Sequence, residues 1–147
     1  MAATTLHGPD EVRAALGRHL GHSDWLTITQ EHIDRFADAT STDAENTADG
    51  STAVPVLFTL SLSNLFLPQL VEVRGFAMGV NYGTGSIRFP EPVRAGSRMR
   101  ARAELVAVEP VPGGLQTTIR ITIEVEGRAE PAAVIDSLSR WLVNGQA

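Results

Sequence analysis

The chain has 147 residues and contains no cysteine and no lysine; all twelve basic residues are arginine. The first absence excludes disulfides, thiolate nucleophiles and cysteine-bound metals. The second excludes Schiff-base chemistry on a lysine amine. With a net charge of −5, the chain has no basic stripe to neutralise phosphates, so nucleic acid is not expected as a partner. Histidine is confined to His7, His19, His22 and His32. His19 and His22 are close in sequence, but only Asp24 stands near as a third ligand, and no metal site is expected. A long apolar run is also missing. The longest mostly apolar stretch, 53–71, is interrupted by Thr59, Ser61, Ser63, Asn64 and Gln69 and carries Pro55 and Pro68, which reads as a buried helix and not a membrane span. The first five residues lack the basic start and apolar core of a signal peptide, so a cytoplasmic protein is expected.

What is present suits an ordinary globular protein: 43% apolar and 20% charged residues, in a length expected to form one domain over 1–147. Val12, Ala15, Leu16 and Leu20 at helical spacing behind Pro9 predict a helix over 9–20, with His19 and His22 near its C-terminal end. Residues 25–29 alternate like a short strand. Thr29 is then placed to cap a second helix, with His32 where a capping box would put Glu or Gln and expected to point to solvent beside Glu31. Residues 40–50 read as a loop. Pro55 opens a long apolar helix predicted over 56–71. Strands are expected over 76–81, 86–89, 99–108, 115–125 and 132–143. In the fourth of these, Leu115, Thr117, Ile119, Ile121, Ile123 and Val125 alternate strictly with polar side chains, the mark of a strand buried on one face. Helices followed by a run of antiparallel strands give the α+β class.

Several blocks carry a resemblance. Asn81-Tyr82-Gly83 and Arg88-Phe89-Pro90-Glu91-Pro92-Val93 are similar to the middle strand and turn of the MaoC-like dehydratases and (R)-specific enoyl-CoA hydratases. Trp25 to Gln30, Ile33 to Thr40, Phe58 to Leu62, and the last strand from Ala132 resemble other blocks of that family, in the same order. The resemblance implies a single hot-dog domain, an antiparallel sheet wrapped around a long central helix. It also implies pairing through sheet edges, as a homodimer or with another hot-dog subunit. The implied substrate is an acyl thioester, on CoA or a carrier protein, and no cofactor is implied.

Active members of the family follow the Phe-Ala-x-x-Thr block with Gly-Asp and, a few residues on, a His; this pair activates water for addition to an enoyl thioester. Counted on from Thr40, the aspartate place falls on Thr42 and the histidine place on Thr47. A threonine hydroxyl is no base near neutral pH. Asp43 and Glu45 are therefore the candidate catalytic residues, against the alternative that they are solvated loop carboxylates. Val56 replaces the glycine of the family's His-Gly, and its amide is a candidate partner for the thioester carbonyl. Asn81 and Tyr82 are candidate substrate-binding residues, against a strand amide and a half-buried aromatic. Arg94, Arg98, Arg100 and Arg102 form either a solvated strand face or a contact for the phosphates of a CoA or carrier arm. Three functions stay open: a hydratase or dehydratase rebuilt on Asp43 or Glu45, a non-catalytic partner of an active MaoC-like subunit, and a repurposed pocket for a polyketide-like substrate.

Overall fold

Leu115, Thr117, Ile119, Ile121, Ile123 and Val125 are all buried, as their alternation predicts. The computed structural model describes residues 3–43 and 45–144. In chain order the elements are β1 (Thr4–His7), α1 (Gly8–Ala14), β2 (His19–His22), β3 (Leu26–Thr27), α2 (Gln30–Thr40), α3 (Val56–Ser61), α4 (Ser63–Leu70), β4 (Val71–Arg74), β5 (Met78–Arg88), β6 (Arg98–Val111), β7 (Gly114–Val125) and β8 (Ala133–Leu142). The main sheet runs β2-β6-β7-β8-β5, all neighbours antiparallel, with β3 also paired to β6. β1 and β4 form a separate parallel pair.

The inward faces of β6, β7 and β8 meet α4. Phe66 and Leu70 of the helix are fully buried against a core that includes Met99, Ala101, Ile121 and Ile135. Trp141 lies beside Gly79, where a Cβ would collide with its ring, and its Nε1 donates to Thr117 Oγ1 at 3.0 Å. The predicted Thr29 cap is present, the His32 amide donating to Thr29 Oγ1 at 3.2 Å, but His32 does not point to solvent as expected: its Nδ1 accepts from the Thr29 amide at 3.1 Å and completes a capping box.

Three expectations need correction. The helix predicted over 9–20 stops at Ala14, because Gly17 takes φ +81 and Leu20 turns inward as part of a strand. His19 and His22 therefore lie on β2, not at a helix end, with ring centroids 5.1 Å apart. The central helix predicted over 56–71 is divided at Leu62 and ends at Leu70. Ser61 bonds back to the Phe58 carbonyl at 2.6 Å, a local competitor of the helix ladder. Leu62 keeps right-handed dihedrals, so the chain continues in the same sense. The stretches predicted as strands over 76–81 and 86–89 are one strand, β5, with register shifts at Asn81/Gly83 and Thr84/Ile87. No helix among the described residues is long and apolar enough to cross a membrane.

Candidate functional site

α2 ends in a tight exit. Ser41 takes φ +53, the one non-glycine in the left-handed region among the described residues. Its amide donates to the Asp38 carbonyl at 3.2 Å, and that of Thr42 to the Ala37 carbonyl at 2.9 Å, satisfying carbonyls the helix leaves open. Thr40 Oγ1 bonds to the Phe36 carbonyl at 2.8 Å and shares a 2.8 Å hydrogen bond with Thr42 Oγ1. The loop returns where the Ala53 amide donates to the Glu45 carbonyl at 2.8 Å, and that of Val54 to Val93, also at 2.8 Å. Pro55 then starts α3 without a side-chain cap, so the first amides of the helix, at Val56 and Leu57, have no partner within it.

These segments enclose a recess of about 320 Å³, lined by Phe36, Thr42, Asp43, Glu45, Val54 and Val56 among others. That volume lies at the small end of the range for ligand sites. The structure thus brings together three of the predicted site residues, Asp43, Glu45 and Val56. Asp43 and Glu45 are exposed, and their carboxylates take no hydrogen bond from a described residue. Phe36 and Pro92, which complete the recess, went unnoticed as site residues because only the fold brings them to it.

The remaining two predicted residues lie elsewhere. Asn81 faces a smaller cavity beside α4. Tyr82 is half exposed on β5, with the Arg140 guanidinium 3.6 Å from its ring centroid.

Thr47, which the count from Thr40 puts at the family's histidine place, does not line the recess. Its hydroxyl donates to Asp49 Oδ1; the Ser51 amide donates to the same oxygen at 3.0 Å, and Arg94 to Oδ2 at 2.8 Å. The hydroxyl of Thr47 first, then Ser51 and Arg94, hold the Asp49 carboxyl well below the usual carboxylate range. A carboxyl depressed on folding contributes stability above its unfolded pKa of about 3.9, and that contribution is lost only as pH falls toward the folded value. The Asp49 carboxyl carbon is therefore expected to keep its ionised NMR shift from about pH 5 down to about pH 3. A midpoint in the ordinary range would show that the loop is not locked this way in solution.

The four clustered arginines are matched by acids. Arg94 pairs with Asp49 at 2.8 Å, Arg98 with Glu126 at 2.9 Å, and Arg100 and Arg102 both with Glu124 at 2.9 Å. Burial alone would raise Glu124, but the hydrogen bonds and charges of both arginines outweigh it and lower its pKa. Arg98 and Arg100 also stack on Trp25. This is a compensated face, which leaves little net charge for a phosphate. Among the described residues, no group of three or more His, Asp or Glu is placed to hold a metal.

No protein-family model matches the chain. Its fold matches that of a MaoC-like dehydratase from Rhodospirillum rubrum with a TM-score of 0.67, at 18% identity, covering 90% of this chain and 95% of that one. In sequence it is 40% identical to the 3-hydroxyacyl-thioester dehydratase Z of Mycobacterium tuberculosis, over 94% of this chain and 98% of that protein. The chain belongs to the MaoC-like dehydratase family. Nodulation protein N of Rhizobium leguminosarum is a further relative, 35% identical with 83% of each chain covered. The α+β architecture, a sheet packed on one central helical segment, is accordingly the hot-dog fold expected of a MaoC-like protein.

Proposed function

We propose that this MaoC-like protein binds an acyl thioester at the recess beside α3, and that any acid–base work there falls to Asp43 or Glu45 in place of the family's Asp/His pair. The observation that carries this reading is that both carboxylates line one recess with Val56, while Thr47 is turned to Asp49. The left-handed Ser41 supports the counting that puts Thr42 at the aspartate place. It occupies the place of the family's glycine, in the conformation that favours glycine.

In this reading the free amides at the start of α3 bind the thioester oxygen and stabilise the charge that grows on it. A carboxylate takes a proton from water as the water oxygen bonds to C3 of the enoyl chain. A proton then goes to C2, and dehydration is the reverse. The proposed carboxylates are exposed and held by no partner, so their positioning is loose and turnover is slow. β5, the open edge of the sheet with Tyr82 outward, supports pairing with a second copy or another hot-dog subunit.

The test is the double variant Asp43→Asn/Glu45→Gln, which keeps size and removes both charges. Residual hydration is expected to fall to the uncatalysed rate, while acyl-CoA affinity and melting temperature stay near those of the parent. Unchanged turnover would remove both carboxylates from the mechanism. Binding with no turnover in either protein would favour the binding-only partner or repurposed pocket.

A further inference from the structure

β8 turns every second residue inward, and the inward row changes character along its length: Ala133 and Ile135 are apolar, Ser137 and Ser139 are not. Ser137 and Ser139 are only 8% and 7% exposed. Neither hydroxyl has a hydrogen-bond partner among the described residues, and no buried side-chain nitrogen or oxygen is sealed off without one. Both hydroxyls must therefore open onto the space beside them. That space is a cavity of about 140 Å³ between β8, β5 and α4, where Ser63, Asn64 and Asn81 also present unpartnered polar groups.

Two buried hydroxyls facing one small cavity are costly to a fold unless something completes them, whereas Ser63 is half-buried and Asn64 and Asn81 are exposed to water. The lining carries hydroxyls and amides, which both donate and accept, and no charged group. The complement is a neutral oxygen function. Asn64 stands seven residues after Leu57 of the recess, about 10 Å along a helix at 1.5 Å per residue. A chain held at the recess by its thioester and laid beside the helix would bring its middle to this cavity.

We infer that the cavity beside Ser137, Ser139, Asn64 and Asn81 is a subsite for a hydroxyl or carbonyl group in the acyl chain, so that the substrate is an oxygenated acyl thioester and not a plain alkyl one. The inference rests on the acyl-thioester reading above and narrows its substrate class. Amides of a pantetheine arm share the same chemistry, and the experiment separates them from the chain.

Dissociation constants are compared for a saturated medium-chain acyl-CoA and for the same thioester with a hydroxyl near mid-chain; the arm is common to both. The parent protein is expected to bind the oxygenated thioester about 3–10-fold more tightly, the worth of one or two neutral hydrogen bonds. Ser137→Ala/Ser139→Ala should abolish that preference, leave the saturated thioester bound as before, and raise the melting temperature by removing unpartnered hydroxyls. Equal affinities in the parent, or a preference that survives the double substitution, would overturn the inference. So would a fall in melting temperature, which would show the hydroxyls satisfied by the fold. Weaker binding of both thioesters by the variant would assign the cavity to the pantetheine arm instead. If neither thioester binds the parent at all, the acyl-thioester reading fails and the subsite with it.

Discussion

Hydration of a trans-2-enoyl-CoA by this protein is expected to run about 10²–10⁴-fold below that of a family member carrying the Asp/His pair, assayed side by side; positioned general acid–base groups are typically worth that factor. The reason is local. The count from Thr40 puts Thr42 and Thr47 at the two places, and in the structure both hydroxyls bond elsewhere, Thr42 to Thr40 and Thr47 to Asp49. Neither titrates where the reaction needs a proton moved. The measurement is the loss of enoyl-thioester absorbance with time, corrected for the uncatalysed rate. Comparable turnover would mean that the loop between 40 and 55 rearranges on binding, or that the counting from Thr40 is wrong. The double variant Asp43→Asn/Glu45→Gln then becomes decisive, because among the described residues only these two carboxylates share the recess with Val56.

The second large effect concerns stability. Phe66 is fully buried on α4, packed into the core that the sheet closes over. Phe66→Ala should cost about 3–5 kcal/mol, from lost transfer free energy and the cavity left behind. Native domains are stable by only about 5–15 kcal/mol, so the variant should melt roughly 6–20 °C lower and unfold at much lower urea. Leu65→Ala on the neighbouring position, 47% exposed, should change stability by no more than about 0.5 kcal/mol. If the two substitutions cost the same, α4 is not the element around which the sheet packs.

Much of the architecture was legible in the chain itself. The alternation from Leu115 to Val125 is a period-two signal that leaves one assignment, since a slip of one residue would expose every isoleucine. Thr29 marks the start of α2 through local chemistry alone, while the return of the His32 ring to the Thr29 amide shows only in the structure. Of the two readings open for the four arginines, the solvated face agrees with the acidic partners of Arg98, Arg100 and Arg102 on β7 and its turn and with Asp49 beside Arg94. The failures share a cause. The helix expected over 9–20 runs too far because Leu20 fits a helical spacing as well as a strand. What decides is the unpaired edge of β6, which the sequence nearby does not show. The pairing of β1 with β4 was missed for the same reason, since Thr4 and Val71 meet only through tertiary structure.

The site divides along the same line. The sequence by itself determined the chemical inventory: no thiol, no lysine amine, threonines at 42 and 47, and carboxylates at 43 and 45. Those are facts of composition and local order, and no fold can change them. Only the tertiary structure decided which of these groups share a space. It placed Asp43 and Glu45 with Val56, turned Thr47 toward Asp49 and Arg94, and sent Asn81 and Tyr82 away from the recess to different surroundings. It also left Ser137 and Ser139 buried with no hydrogen-bond partner for their hydroxyls among the described residues. Whether a hydroxyl is satisfied depends on neighbours far away in sequence, and those neighbours exist only once the sheet has closed on α4.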